Sequence, residues 1–141
     1  MLRILVPIDG SSNALRALRH ALKTLKGQPG LIHLLHVRAP YEGYGMVGAY
    51  LPKSRQRRNA DEAALAALRP AETLIKRSGM QGRSSVVTGE VGSRIASEAR
   101  RLRCTSIVMG TRGLGAIGSL VLGSVAGEVI HKARMPVTLV K

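Results

Sequence analysis

The chain has 141 residues, enough for one domain that folds without disulfides or structural metals. Its formal net charge of +14 favours acidic partners without choosing among nucleotides, nucleic acid and anionic membranes. The lone Cys104 excludes an internal disulfide and indicates a reducing compartment, and no apolar run approaches the ~18 residues of a membrane span. We therefore expect a soluble cytoplasmic protein, with no membrane partner and one domain over residues 1–141.

Apolar runs and helical leucine spacing alternate along the chain. The predicted elements are a strand over Leu2–Ile8, a helix from Asn13 that stops at Gly27, a strand over Leu31–Val37, an irregular segment over Ala39–Lys53, a helix over Asn59–Ser78, a strand over Ser84–Thr88, a helix over Gly92–Leu102, a strand over Thr105–Met109, a helix over Ser124–Lys132 and a strand over Val137–Val140. Pro70 is expected to kink or split its helix. Five strands alternating with helices predict an α/β fold, a parallel sheet with helices on both faces.

Two polar loops follow strands of this predicted sheet. Pro7-Ile-Asp9-Gly-Ser comes after the first strand, and Gly110-Thr-Arg-Gly113 comes after the fourth. In open sheets of this kind, ligands sit beyond the carboxyl ends of the strands, where the strand order reverses. If the two strands are neighbours, their loops face one crevice.

The second loop has the composition of a backbone cradle for phosphate. Nine residues separate Gly113 from Gly123-Ser124. Glycines let main-chain N–H groups approach an anion closely, and a serine at a helix start adds a hydroxyl and the positive end of the helix dipole. The pattern predicts a nucleotide site.

With these pieces the sequence resembles the universal stress protein family over essentially its whole length. The matching stretches are Ile4-Leu-Val-Pro-Ile-Asp9-Gly-Ser11, Leu35-His-Val37, Val108-Met-Gly110, the pattern Gly-x-x-Gly, nine residues, Gly-Ser, and the closing Met135-Pro-Val137. The resemblance implies a five-stranded sheet in the order 3-2-1-4-5, like that of the adenine nucleotide alpha hydrolases. For members with the full glycine pattern it also implies bound ATP, accompanied by Mg²⁺.

The resemblance also implies a set of nucleotide-binding residues. Pro7 and Asp9 would lie at the nucleoside, with the Asp9 carboxylate accepting from ribose hydroxyls, and the Val37 backbone would meet the adenine edge. The remaining residues would line the nucleoside and the phosphates: Met109, Gly110, Arg112 and Gly113, and then, at the start of the last helix, Gly123, Ser124 and Val125. The alternatives are structural, since Asp9 suits a turn or helix cap, Ser124 would cap its helix with or without phosphate, and Arg112 could face water.

Two features depart from the family pattern. A helix capped by Ser124 would have Gly127 at its third position, where a capping-box Glu or Gln braces the turn, and Glu128 comes one residue too late. Thr105-Ser106 stands where many relatives have an Asp, outside the expected site. We expect the first departure to loosen the start of the last helix.

Several other kinds of site are not supported. The chain has no P-loop lysine, and the run of Gly113, Gly115 and Gly118 lacks the following βαβ unit of a dinucleotide fingerprint. His33 and His36 are better interpreted as strand residues than as metal ligands, because no third ligand is evident. The segment with Tyr41, Tyr44 and Tyr50 is either a flap over the nucleoside or a plain loop.

The leading hypothesis is a nucleotide-dependent stress regulator or sensor that holds ATP without a catalytic residue. An alternative is a slow ATPase or nucleotide hydrolase in which Asp9 and the metal position water. Another is a nucleotide-independent interaction module, since the last strand, residues 137–140, is an apolar edge suited to homodimer formation. Nucleic acid is not a favoured partner, because the sequence offers no aromatic stacking platform or reading helix.

Overall fold

The computed structural model describes residues 1–40, 52–111 and 122–141. Across these ranges, helices alternate with strands. The elements are β1 (Leu2–Pro7), α1 (Ser12–Leu25), β2 (Gly30–Arg38), α2 (Lys53–Ser78), β3 (Gln81–Thr88), α3 (Val91–Arg101), β4 (Ser106–Gly110), α4 (Ser124–Lys132) and β5 (Val137–Val140). All pairings are parallel, and the strand order is β3-β2-β1-β4-β5. The predicted fold class and strand order are confirmed.

Helices cover both faces of the sheet. In β1, Ile4 and Val6 pack against α1 and α2, whereas Leu5 packs on the opposite face with α3 and α4. The same alternation continues in β2, where Leu34 and Leu35 belong to different clusters. Because side chains alternate across a strand, a central strand buried on both faces is largely apolar, as β1 is from Ile4 to Pro7.

Local signals at α1 agree with the sequence pattern. The Ser11 side chain accepts a hydrogen bond from the Ala14 N–H at 3.1 Å, which satisfies a donor that the helix itself leaves free. The apolar stripe of α1 then faces the sheet, and Leu18 and Leu25 are fully buried. After the helix, Gly27 adopts a φ of +79°, a conformation that glycine tolerates without strain.

Two elements are longer than predicted. Helix α2 begins at Lys53, six residues before the expected Asn59, and its first turns are largely exposed. The helix runs through Pro70 without interruption, so the expected split there is wrong. Strand β3 begins at Gln81 instead of Ser84, because its polar first half pairs in register with β2. In the part of the chain that the structure describes, no helix combines the length and hydropathy needed to cross a bilayer.

Candidate functional site

The two loops singled out by the sequence leave the same edge of the sheet. β1 pairs with β2 on one side and with β4 on the other, where Ile4 is opposite Ser106 and Leu5 is opposite Ile107. The strand order therefore reverses between β1 and β4. Since the strands are parallel, their carboxyl ends meet there, at the position where open α/β sheets bind ligands.

Asp9 forms part of a tight turn between β1 and α1. Its Oδ1 atom accepts a hydrogen bond from the Ser11 N–H at 2.9 Å, and Gly10 between them has a φ of +89°. Asp9 is exposed. It is thus a turn residue, as the structural alternative expected, but the cap of α1 is Ser11 and not Asp9. The turn holds the carboxylate at the edge of the sheet.

The backbone of β2 continues past the point where β1 turns away. Pairing with β1 ends at Leu35, which is opposite Pro7 and whose carbonyl accepts from the Ile8 N–H at 2.8 Å. Backbone polar groups of successive strand residues point to opposite sides, so those of Val37 point to the same side as those of Leu35, toward β1. The Val37 side chain is buried. Val37 therefore presents main chain, not side chain, to the crevice.

The end of β4 and the start of α4 are joined by main-chain hydrogen bonds. The Thr111 N–H donates to the Val140 carbonyl at 3.1 Å, and the Gly123 N–H donates to the Thr111 carbonyl at 2.8 Å. The Met109 side chain is buried in the cluster under α3 and α4. Gly110, at the end of β4, and Gly123 are thereby brought to one place, although residues 111–122 separate them in sequence.

The start of α4 differs from the expected cap. Gly123, not Ser124, is the N-cap residue, and none of the side chains that the structure describes caps this helix. Ser124 is instead the first helical residue and is exposed, with Val125 half-buried behind it. The first turn of a helix has N–H groups without helical partners, and no side chain of residues 1–40, 52–111 or 122–141 caps them here. Such a helix start has the chemistry that favours an anion.

Glu128 is engaged away from the helix start. Its Oε1 atom accepts from Ser93 Oγ at 3.0 Å and from Lys132 Nζ at 2.9 Å, and Lys132 also lies 2.6 Å from Ser93 Oγ. Hydrogen bonds from Lys132 and Ser93 lower the pKa of Glu128, and the bond to Glu128 raises the pKa of Lys132. Both groups are therefore charged at neutral pH. Glu128 couples α4 to α3 and is not a capping residue.

The two histidines of β2 lie on opposite faces of the sheet. His33 shares the face of Leu35, and burial lowers its pKa, with further lowering from Arg83, Arg3 and Arg101. His36 shares the face of Leu34, and both histidines are buried. They cannot ligate one metal together. Across residues 1–40, 52–111 and 122–141, no group of three His, Cys, Asp or Glu side chains is arranged to hold a metal ion.

Most of the predicted site residues are thus collected at one edge. Those described are Pro7, Asp9, Val37, Met109, Gly110, Gly123, Ser124 and Val125. Arg112, Gly113 and the tyrosine segment over residues 41–50 lie outside the described residues. The sequence pattern did not predict a contact of His36 with the end of β1. Its only signal was a polar residue in an apolar strand.

Known proteins are similar to this chain over its whole length. The pattern that defines the universal stress protein family matches residues 1–141. The chain belongs to this family. A universal stress protein of Thermus aquaticus is 31% identical over 147 residues, covering 98% of this chain and 97% of the relative.

Two solved structures are similar in fold and sequence. One, of hypothetical protein MJ0577, has a TM-score of 0.86 and 27% identity, covering 99% of this chain and 94% of that one. The other is the universal stress protein from Archaeoglobus fulgidus in complex with dAMP, with a TM-score of 0.69 and 26% identity over 100% of this chain and 98% of that one. A universal stress protein similar to this chain therefore binds an adenine nucleotide.

Proposed function

We propose that this universal stress protein binds ATP with Mg²⁺ at the β1/β4 edge and acts as a nucleotide-dependent stress regulator or sensor in the cytoplasm. The observation that carries the proposal is the convergence of the Asp9 turn, the end of β4 and the start of α4 on one edge. The Archaeoglobus fulgidus relative in complex with dAMP supports an adenine nucleotide as the ligand.

The nucleoside would lie between β1 and β2. The Val37 N–H and C=O point toward β1, but β1 no longer pairs with β2 beyond Ile8. A main-chain donor and acceptor of this kind match the polar edge of adenine. The Asp9 carboxylate would accept from ribose hydroxyls, while its turn keeps it in place. Pro7 and Gly110 would form the walls on either side.

The phosphates would lie at the start of α4. Main-chain N–H groups of Ser124 and Val125, the Ser124 hydroxyl and the positive end of the helix dipole together favour negative charge there. Arg112 and Gly113 complete the proposed cradle. Mg²⁺ usually binds through substrate phosphates and water with few protein carboxylates, so the nucleotide itself would supply most of its ligands.

Holding the nucleotide suits this site better than rapid hydrolysis. Among the described residues of this edge, the carboxylate that could act in hydrolysis is that of Asp9, and it already accepts a hydrogen bond from the Ser11 N–H in its turn. No lysine of this edge takes the place of a P-loop lysine. Any ATPase activity should therefore be slow. Phosphate release that Asp9→Ala abolishes, while ATP binding survives, would instead favour the enzymatic alternative.

Isothermal titration of ligand-stripped protein tests the proposal. We expect saturable binding of ATP with Mg²⁺, weakened in Asp9→Ala and unchanged in Glu72→Ala, which removes an exposed carboxylate on α2. Ser124→Ala should weaken ATP binding more than AMP binding, because its hydroxyl is assigned to the outer phosphates. No saturation at millimolar ATP would refute the proposal.

We further propose that β5 mediates a homodimer. β5 pairs with β4 on one side and forms the edge of the described sheet, and an apolar edge strand favours pairing with another strand. The carbonyls of Pro136 and Val140 accept hydrogen bonds on the β4 side, so by strand alternation the main-chain groups of Val137 and Leu139 face the free edge. Leu139→Pro would remove a main-chain donor from that edge and should give a monomer in sedimentation. A wild-type chain that is monomeric at micromolar concentration would contradict the proposal.

A further inference from the structure

His36 makes one specific contact at the end of β1. Its Nδ1 atom lies 2.8 Å from the Ile8 carbonyl oxygen, and the side chain is only 6% exposed. A carbonyl oxygen can only accept a hydrogen bond, so Nδ1 carries the hydrogen and donates it. Nε2 is buried and has no hydrogen-bond partner within the described part of the chain. The bond to Ile8 is thus the polar contact that compensates the ring for its burial.

Ile8 is held by β2 through both of its main-chain groups. Its N–H donates to the Leu35 carbonyl at 2.8 Å, and its carbonyl accepts from His36, the next residue of β2. The Ile8 carbonyl shares a rigid peptide plane with the N–H of Asp9. Fixing this carbonyl therefore fixes the direction in which the chain enters the Asp9 turn.

A purely packing role does not explain a histidine at this position. His36 follows Leu34 on the face of the sheet that packs against buried apolar side chains of α1 and α2. A leucine would fill such a place without the cost of burying two ring nitrogens. What histidine adds is the hydrogen bond to Ile8, and Ile8 is the residue next to the proposed ribose ligand.

We infer that His36 is a positioning residue for the nucleotide site, which sets the Asp9 turn by holding the Ile8 carbonyl. The inference rests on the proposed function, because Asp9 acts there as a nucleotide ligand. His36 itself touches the main chain of the site and not the nucleotide.

Matched variants separate the hydrogen bond from packing. His36→Leu keeps a side chain of similar bulk but makes it apolar, and so loses the hydrogen-bond donor. His36→Asn is smaller but keeps an amide N–H close to the position of Nδ1. His33→Leu is the control, since it removes the other buried histidine of β2 from the opposite face. All proteins are compared well below their melting temperatures.

Titration with ATP gives the first result. Loss of the bond should weaken affinity about tenfold in His36→Leu, the effect of leaving one buried acceptor unsatisfied. His36→Asn should stay within about threefold of the wild type, and His33→Leu should match it. Equal losses in both His36 variants, or no loss in His36→Leu, would overturn the inference.

Amide hydrogen exchange without nucleotide gives the second. The Ser11 N–H donates to Asp9 Oδ1, so its exchange rate reports on the turn. We expect faster exchange in His36→Leu and near wild-type exchange in His36→Asn. Unchanged exchange in His36→Leu would overturn the positioning role. A wild-type chain that binds no nucleotide would refute the proposed function alone, because the exchange result does not depend on ligand.

Discussion

Packing of α4 on α3 depends on the absence of a side chain at Gly92. A Cβ built on Gly92 would lie 2.8 Å from the Cβ and 2.7 Å from the Cδ of Glu128, closer than real Cβ atoms approach other atoms. The Glu128 carboxylate could rotate away, but its Cβ is fixed by the backbone of α4. Gly92→Ala should therefore push the two helices apart.

The size of the effect follows from two opposing contributions. Overpacking costs about 1–3 kcal/mol, whereas replacing a helical glycine by alanine gains about 0.5–1 kcal/mol. We expect Gly92→Ala to lower the free energy of unfolding by about 1 kcal/mol, which for a chain of this length lowers the melting temperature by about 3 °C. Thermal and urea unfolding followed by circular dichroism measure both quantities.

The sign should reverse when the obstacle is removed. In a Glu128→Gly background no Cβ opposes the new methyl group, so only the helix gain remains, and Gly92→Ala should stabilise by about 0.5–1 kcal/mol. Both proteins of that comparison lack the Glu128 hydrogen bonds, so their loss cancels. The same change in unfolding free energy in both backgrounds would refute the steric argument.

Three further predictions concern pH, thiol chemistry and the Asp9 turn. Because the pKa of His33 is lowered in the folded chain, His33 binds a proton more readily in the unfolded chain. Stability should therefore fall as the pH drops below about 6.5. An equal pH slope in His33→Leu would contradict this. Burial raises the pKa of the Cys104 thiol to about 11, so at pH 8 a thiol reagent should react no faster than the chain unfolds, and rapid labelling of the native protein would count against the buried thiol. Gly10→Ala should lower the free energy of unfolding by about 1–2 kcal/mol and weaken ATP binding. Gly27→Ala, at a similar positive φ away from the site, should lower stability alone. Equal ATP affinities in the two variants would show that the Asp9 turn does not affect binding.

The sequence predicted the buried elements well because buried elements have a recognisably apolar composition. β1 and β2 are covered on both faces, so each is largely apolar and can be identified without knowledge of its neighbouring strands. The first turns of α2 and the first half of β3 carry exposed polar residues. Neither segment has a hydrophobic periodicity that would predict a helix or a strand. β3 extends to Gln81 only because β2 offers partners in register, which is a non-local cause.

Site geometry depends on choices that residue type alone does not make. Gly123 and Ser124 are both residue types that suit a helix N-cap. In the structure Gly123 is the N-cap residue, and its N–H donates to the Thr111 carbonyl. His36 is a strand residue by pattern, as expected. Its contact with Ile8 depends on β1 ending beside β2, which the sequence does not specify locally.

The main-chain bond between Gly123 and Thr111 also bears on how this family can diversify. It brings the two ends of the intervening segment together within the protein itself, independently of what that segment contains. Lengthening a loop whose ends are already joined costs little, about 0.6 kcal/mol for each doubling. Insertions and exchanges between Thr111 and Gly123 would thus be able to alter which phosphate chain the proposed site accepts, while α4 stays anchored to β4.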